Sequence, residues 1–450
     1  MASSFVFDPN RCTGCAACRL ACTIENDLIP GRSWRRIDTF NTRHRPDLPL
    51  YHLSLACNHC DDPACMHACP ALAYTRDAAT GAVLLDVDKC VGCKYCSWAC
   101  PFDAPLFDAD HGVMTKCTYC DDRLKDGLQP ACVSLCPTGA LGFDDLDEAR
   151  IVQGVDAFPQ TGLGPRIRIE PIQHDRRIPA MTATEVEAPF VEAPQETASG
   201  ISLRSEWSLM LFTLLAAVLV ALVAAAATTA ARVDARAFAV AAAVTMGLAS
   251  AHLGRKLRAW RAVLNLRRSW LSREIVSLSS FFGAATIWLA LAPDHGRAGI
   301  AVALVGFLAL FCADQVYSVL QRAGPGYRHS ASALWTGFFL TGVFSGELWL
   351  ALPIGLGKLA LYALRKQRFR QTGRSTRLPL GVARVTIGFV VPFALWLADA
   401  SDDRALIIAC VLIGEAIDRA EYYLELERET PRRRIADVLL GRGVLAPESS

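Results

Sequence analysis

Sixteen of the eighteen cysteines in this 450-residue chain fall between positions 12 and 136, in four groups of four. The groups are Cys12, Cys15, Cys18 and Cys22; Cys57, Cys60, Cys65 and Cys69; Cys90, Cys93, Cys96 and Cys100; and Cys117, Cys120, Cys132 and Cys136. The third reads C-x2-C-x2-C-x3-C-P and ends at Cys100-Pro101. That run holds [4Fe–4S] clusters, with three thiolates on one cluster and the fourth on its neighbour. The second and fourth groups keep the closing C-x3-C-P and stretch an inner gap, and the first has the spacing without the proline. A disulfide framework suits short secreted chains. Structural zinc uses separated C-x2-C pairs in closed tetrahedral sites. Four consecutive quartets fit iron–sulfur clusters better than either.

The elements that must carry these ligands are short. Residues 1–150 read as loop-rich α+β structure, with ligands on turns followed by brief helices. Val83 to Val87 and Leu141 to Phe143 have the character of short strands. Groups two and three lie close and read as one two-cluster ferredoxin, and groups one and four as a split pair around it. Exchange of the fourth cysteine would then give four sets: Cys57, Cys60, Cys65 and Cys100; Cys90, Cys93, Cys96 and Cys69; Cys12, Cys15, Cys18 and Cys136; Cys117, Cys120, Cys132 and Cys22. Residues 145–180 are expected to pack against this domain. From Ile178 to Gly200 the chain is rich in Pro, Ala, Thr and Glu, the composition of a flexible linker. The division predicted is a cluster domain over 1–180, a linker over 181–205, a membrane domain over 206–425 and a basic tail over 426–450.

Charge divides the same way. Residues 1–150 carry 14 Lys and Arg against 20 Asp and Glu, a net of −6, and residues 201–450 carry 28 against 17, a net of +11. Apolar runs dominate from Trp207 onward, and a span needs about 20 apolar residues. Eight stretches are candidates, at 207–231, 236–254, 274–292, 298–320, 331–344, 346–364, 379–399 and 403–423, with Ser345-Gly346-Glu347 as the turn inside the weakest region. The predicted fold is a double bis-[4Fe–4S] ferredoxin-like α+β domain followed by an all-α polytopic bundle of about eight transmembrane helices. The loop from Arg255 to Arg273 holds seven Lys and Arg, the stretch from Arg365 to Arg377 is also basic, and the tail adds Arg432, Arg433 and Arg434. The positive-inside rule puts these even-numbered loops, both termini and the cluster domain in the cytoplasm. The rival reading is that the arginines serve the acidic cluster domain on whichever side it lies. Met1 to Asn10 shows no basic n-region, apolar h-region or twin arginine, so no export signal is expected.

Ionisable residues inside spans are costly and usually functional. His252 closes the second stretch and Glu274 opens the third. An imidazole and a carboxylate there could take the two protons released when a quinol is oxidised. The plainer account is an interfacial histidine and a glutamate favoured by the helix dipole. Asp314 lies deeper, with Tyr317 one turn on. Glu415 and Arg419 stand at i,i+4 and are expected to pair structurally. Cys312 and Cys410 read as small apolar residues. No histidine pair has intramembrane haem spacing, no phosphate-binding glycine motif occurs, and nothing suggests a nucleic-acid partner.

Residues 1 to about 180 resemble the four-cluster electron-transfer subunit of the dimethyl sulfoxide reductase family. The resemblance rests on Cys57-Asn58-His59-Cys60-Asp61-Asp62-Pro63-Ala64-Cys65 through Cys69-Pro70, the run from Cys90 to Pro101, and Lys116-Cys117-Thr118-Tyr119-Cys120. It implies the nested sets above. Cys93 stands where some relatives lack cysteine and hold a [3Fe–4S] cluster, so four [4Fe–4S] clusters are implied here. Residues from about 201 resemble the eight-helix anchor subunit of the same enzymes, through His252-Leu253-Gly254, Ser272-Arg273-Glu274-Ile275, and Gly414-Glu415 with Arg419 and Tyr422-Tyr423. This implies menaquinol binding at His252 and Glu274, an inner-membrane location and a role in anaerobic respiration. The two subunits are usually separate. The protein is thus expected to oxidise quinol from the membrane pool and relay electrons to a molybdopterin-containing catalytic partner that reduces an S-oxide, N-oxide or similar acceptor. It would itself be a non-catalytic subunit. The alternatives are the reverse flow from a partner dehydrogenase to quinone, an anchoring or assembly protein with a vestigial quinol site, and a ferredoxin:quinone oxidoreductase without molybdenum.

Overall fold

The computed structural model describes residues 2–41, 50–146, 158–159, 161–173, 203–229, 231–320, 329–371, 378–398, 404–426 and 430–439. The chain forms two units, Met1–Thr197 together with Glu429–Ser450, and Ala198–Arg428. Most of the linker predicted over 181–205 lies outside the described residues.

In chain order the first unit contains β1 (Ala2–Phe7), α1 (Ala17–Glu25), β2 (Arg36–Phe40), β3 (Tyr51–Leu55), α2 (Ala64–Ala68), β4 (Tyr74–Arg76), β5 (Val83–Leu85), α3 (Tyr95–Ala99), β6 (Leu106–Asp108), β7 (Val113–Thr115), α4 (Asp121–Lys125), α5 (Ala131–Ser134), β8 (Leu141–Leu146) and β9 (Ile167–Ile169). Phe5 and Phe7 alternate inward on β1, each 1% exposed, as a half-buried strand requires. β1 pairs antiparallel with β8, Phe5 opposite Phe143, and parallel with β9, Phe5 opposite Ile167. The other strands form three two-stranded ribbons, β2 with β3, β4 with β5 and β6 with β7. Of the two strands legible in sequence, Val83 to Val87 shortens to Val83–Leu85 and Leu141 to Phe143 extends to Leu146. Ribbons of this length are marginal by themselves, so the cysteine-bearing loops between them must supply much of the interior.

The two regular cysteine runs share one backbone. Gly14 and Gly92 both have φ of 71°, and Ala16 and Lys94 have φ of 62° and 60°. Each left-handed pair sits between the first and third cysteine of its run and turns the chain into a short helix, α1 or α3. Glycine enters this region at little cost, whereas Ala16 and Lys94 are strained there.

The second unit contains α6 (Leu203–Thr228), α7 (Ala235–Ala251), α8 (Trp270–Leu291), α9 (Gly296–Val316), α10 (Ala333–Ser345), α11 (Leu348–Gln371), α12 (Leu378–Leu397) and α13 (Arg404–Glu425). Helix occurs in each of the eight apolar stretches, and Gly346 caps α10 with φ 75° at the predicted turn. Five of these helices are long and apolar enough to cross a membrane, or six if α7 and the 3-10 segment Lys256–Val263, bent by 101°, form one span. α10 has only 13 residues, and α13 carries Glu415, Asp418, Arg419 and Glu421 within its length. Large apolar side chains on the outer faces, among them Ile287, Leu304 and Trp349, are 62–72% exposed. Such a surface suits lipid rather than water.

Two features fix the later helices. Gly388, in a π-turn of α12 four residues before Pro392, meets Gly414 of α13 so closely that a Cβ on Gly388 would lie 2.5 Å from the Gly414 Cα. Small residues let membrane helices touch backbone to backbone. Alongside runs a buried row of ion pairs. Lys358 of α11 meets Glu415 at 2.9 Å, Arg365 meets Asp418 at 3.0 Å and Glu425 at 3.2 Å, and Lys366 meets Glu421 at 3.0 Å. Arg384 of α12 meets Asp418 at 3.2 Å. The structure pairs Glu415 with Lys358 of the facing helix rather than with Arg419, its expected i,i+4 partner, and the Thr336 hydroxyl adds a hydrogen bond at 2.8 Å. Arg419 instead faces Asp314 on α9.

Part of the tail predicted from residue 426 is a structured element of the first unit. α14 (Pro431–Leu439) follows the last helix of the second unit, and its Ile435, 1% exposed, joins the apolar core that includes Phe5, Phe7, Leu53 and Ile169.

The ion-pair row generates one expectation. Asp418→Asn removes the carboxylate that Arg384 pairs with and one of the carboxylates around Arg365, leaving Arg384 buried without its ion-pair partner, so the helical unit should lose roughly 3–5 kcal/mol, read as earlier unfolding in a detergent melt. Gly388→Leu should act in the same direction by forcing α12 away from α13.

Candidate functional site

Cysteines from different quartets are electrostatic neighbours of one another, in the pattern that an exchanged fourth ligand would give. Cys60 has Cys100, Cys57 and Cys65 as electrostatic neighbours. Cys93 has Cys69 and Cys90, and Cys96 has Cys93 and Cys69. Cys12 has Cys18, Cys136 and Cys15. Cys117 and Cys120 both have Cys22 and Cys132. Neighbours between sets order them in a row: Cys96 with Cys65, Cys57 with Cys117, and Arg35 between Cys132 and Cys18. The row runs from the Cys69, Cys90, Cys93, Cys96 set to the Cys57 set, the Cys117 set and finally the Cys12 set.

Two of the sets enclose cavities. Cys57, Cys60, Cys65 and Cys100 line one of about 20 Å³, and Cys22, Cys117, Cys120 and Cys132 line one of about 10 Å³. Polar atoms that lack a partner among the described residues border both. His59 is fully buried, its Nδ1 accepts from Val83 N–H at 2.9 Å, and its Nε2 is unpartnered. The bond to Nδ1 assigns the proton to Nε2, a donor beside the first cavity. Burial, then the Lys116, Arg76 and Arg166 cations, holds the His59 pKa well below the usual range, so the ring is neutral. Both side-chain polar atoms of Asn58 are likewise unpartnered at that cavity, as are Nε and Nη2 of Arg35 at the second.

Several of the thiols resist ionisation. Burial, then neighbouring sulfurs, raises Cys60, Cys65 and Cys117 far above the ordinary thiol value. Burial pushes Cys93 up to about 12 and Cys100 and Cys120 up to about 11. Backbone N–H groups point at sulfur, from Gly92 to Cys90, Tyr119 to Cys117 and Leu141 to Cys136, each at 3.4 Å from Sγ. Thiolates are the metal-binding form, so a polynuclear cation is what makes four of them tolerable together. Donor type, number, cavities and unpartnered N–H groups all fit [4Fe–4S] cores, whose sulfurs accept hydrogen bonds.

In the helical unit, His252 is the half-buried C-cap of α7, and Glu274, 4% exposed, lies at the start of α8. The 3-10 segment Lys256–Val263 lies between them in sequence and is tied to α8 by Ser272, whose hydroxyl donates to Ala262 O at 2.8 Å. Glu274 is an electrostatic neighbour of Asp314, Tyr317 and Tyr423. Asp314 accepts from Ala333 N–H at 2.7 Å. Tyr317 and Tyr423 share a hydroxyl hydrogen bond. Glu274 thus sits in a buried polar group contributed by α8, α9 and α13.

Residues 48–146 match the 4Fe-4S dicluster domain family. An anaerobic dimethyl sulfoxide reductase component of Haemophilus influenzae is 39% identical over 186 residues, which are 38% of this chain and 90% of that protein. This protein belongs to the dimethyl sulfoxide reductase iron–sulfur subunit family. Residues 201–365 match a second family, the DMSO reductase anchor subunit (DmsC). Relatives of the iron–sulfur part also include an anaerobic dimethyl sulfoxide reductase component of Escherichia coli, 43% identical over 158 residues (33% of this chain, 77% of that protein). Another is a sulfite dehydrogenase subunit of Allochromatium vinosum, 38% identical over 166 residues (32% and 69%). This member of the dimethyl sulfoxide reductase family joins an iron–sulfur electron-transfer part and a membrane anchor in one polypeptide.

Sequence reasoning alone does not find Arg35, His59, Asn58 and Lys116 as functional groups in this dimethyl sulfoxide reductase family member. His59, Asn58 and Lys116 sit inside cysteine motifs, a signal that could have drawn notice; Arg35 carries none. Lys358 and Arg384 are legible as cations within apolar stretches, and such cations seek buried partners.

The nested arrangement has a direct test. Cys100→Ser should abolish the same electron paramagnetic resonance signal as Cys57→Ser and spare the one lost in Cys90→Ser. Loss of the Cys90 signal would instead mean that each consecutive quartet holds its own cluster.

Proposed function

We propose that this protein oxidises a quinol, such as menaquinol, in its helical unit and delivers the electrons, through four [4Fe–4S] sites, to a separate molybdopterin subunit that reduces an S-oxide, N-oxide or similar acceptor. The observation that carries this reading is the row of four cysteine sets on the same polypeptide as a membrane unit with a buried carboxylate, Glu274, at the start of a span. Bound clusters supply one-electron steps. The protein's own residues do the rest. The sixteen thiolates keep the sites in order, and His59 and the backbone N–H groups donate to sulfur. Two electrons and two protons leave each quinol, and Glu274 and His252 are the groups that take the protons as the electrons depart.

The eight helical segments are read as eight crossings, α10 and α13 included, because the carboxylates of α13 meet Lys358, Arg365, Lys366 and Arg384 inside the unit. The basic loops at 255–273 and 365–377 support a cytoplasmic cluster domain. The reverse current, from a partner dehydrogenase to quinone, is the second reading. It is favoured by similarity to a protein named as a sulfite dehydrogenase subunit as well as to reductase subunits.

Isolation of the intact complex in mild detergent, with molybdenum and iron quantified, tests the partner. Co-purification of a large molybdenum-bearing subunit is expected, and its absence leaves only the ferredoxin:quinone reading. Glu274→Gln should lower quinol oxidation about a hundredfold, the lower range for a lost general base, with all cluster signals retained; unchanged turnover would remove Glu274 from the proton path. Protease should cut the 1–180 domain in inside-out vesicles, whereas cleavage confined to right-side-out vesicles reverses the orientation.

A further inference from the structure

Two buried cations lie along the row of cysteines, and among the described residues neither forms an ion pair with a carboxylate. Arg35 is 1% exposed and Lys116 is 3% exposed. Arg35 Nη1 donates to Ser54 O at 3.3 Å and Ser54 Oγ at 3.2 Å, and the guanidinium carbon lies 4.5 Å from the Phe5 ring centre. The Ser54 hydroxyl in turn lies 3.5 Å from Cys18 Sγ. Lys116 Nζ donates to Val83 O and, at 2.7 Å, to Cys117 O. A buried charge is ordinarily paired with an opposite one. The groups these two face are sulfurs: Cys132, Cys18 and Cys117 for Arg35, and Cys65 and Cys117 for Lys116.

Their placement is uneven. Both adjoin the set of Cys22, Cys117, Cys120 and Cys132. Arg35 also neighbours Cys18 of the Cys12 set, and Lys116 neighbours Cys65 of the Cys57 set. Toward the set of Cys69, Cys90, Cys93 and Cys96, the junction carries the neutral hydroxyl of Tyr74, between Cys96 and Cys65.

We infer that Arg35 and Lys116 set the reduction potentials of the sites they adjoin, making the Cys22, Cys117, Cys120 and Cys132 site more easily reduced than its ligands alone would make it. This rests on the iron–sulfur reading above. Reduction adds one negative charge to a site that is already anionic, and a fixed neighbouring cation stabilises the product more than the reactant. Such potentials follow net charge, hydrogen bonds to sulfur and exposure to solvent. Both cations are buried, so salt and water screen them little. They neither gain nor lose electrons themselves; they act through the cysteine sites and are positioning residues. A role confined to holding loops would rest on the hydrogen bonds to Ser54, Val83 and Cys117 and would leave the potentials alone.

The measurement is a potentiometric titration of membranes carrying the full-length protein, followed by electron paramagnetic resonance, with Cys120→Ser identifying the signal of the doubly flanked site. Arg35→Gln should lower that midpoint by about 59 mV or more, a tenfold change in the oxidised-to-reduced ratio for one electron. Arg35→Lys should restore most of the shift. Lys116→Met should lower the same midpoint and that of the Cys57 set, whereas Tyr74→Phe should leave the doubly flanked site unmoved. Unchanged midpoints in Arg35→Gln at wild-type iron content overturn the proposal. Should Arg35→Gln lose iron, Lys116→Met decides by the same criterion, and loss of iron in both assigns the cations a structural role instead. A wild-type protein lacking four iron–sulfur signals would overturn the underlying reading, a result distinguishable from all of these.

Discussion

Sulfur atoms crowded into one small domain repel one another as thiolates, and burial makes several of them, Cys60, Cys65 and Cys117 among them, harder to ionise. Most of the first unit answers that difficulty. Its loops enter the left-handed region at Gly14, Ala16, Gly92 and Lys94 so that successive cysteines face one centre. Backbone N–H groups point at Cys90, Cys117 and Cys136. Donors that find no partner among the described residues, at His59 and Arg35, border the cavities the cysteines leave. Strands of three residues are held around them by an apolar core that mixes aromatic and aliphatic side chains with cysteines.

The helical unit meets the opposite problem. Its surface can be apolar, but its interior carries a row of acids and bases that lipid would not tolerate. The contact of Gly388 with Gly414 lets α12 and α13 come close, and that approach puts Arg384 on Asp418. Packing and charge pairing therefore reinforce one another. Glu274 stands apart from this row, in the company of Asp314 and two tyrosines.

Sequence spacing makes the iron–sulfur character of the first unit legible because cluster chemistry dictates where cysteines stand along the chain. The helices are legible because apolar length is itself the signal. The strands of the first unit are mostly hidden, since three residues are too few for a period to register. The partner of Glu415 is hidden for a different reason. The i,i+4 rule describes one helix, and a facing helix with Lys358 competes with it. Arg35 is invisible in the sequence, because its partners, Cys18, Cys117 and Cys132, come from three distant segments.

The core position of Ile435 has a consequence for synthesis. A ribosome finishes the first 197 residues long before it reaches α14, with about 240 residues of helical unit and connector still to come. At roughly 5–20 residues per second that interval is on the order of ten to fifty seconds. Throughout it, the apolar core that Ile435 joins lacks that side chain. The cluster-bearing unit, though made first, is closed last, after the helices have been produced. The protein thus has a built-in order of maturation, in which completion of the redox half reports that the anchor half has already been made.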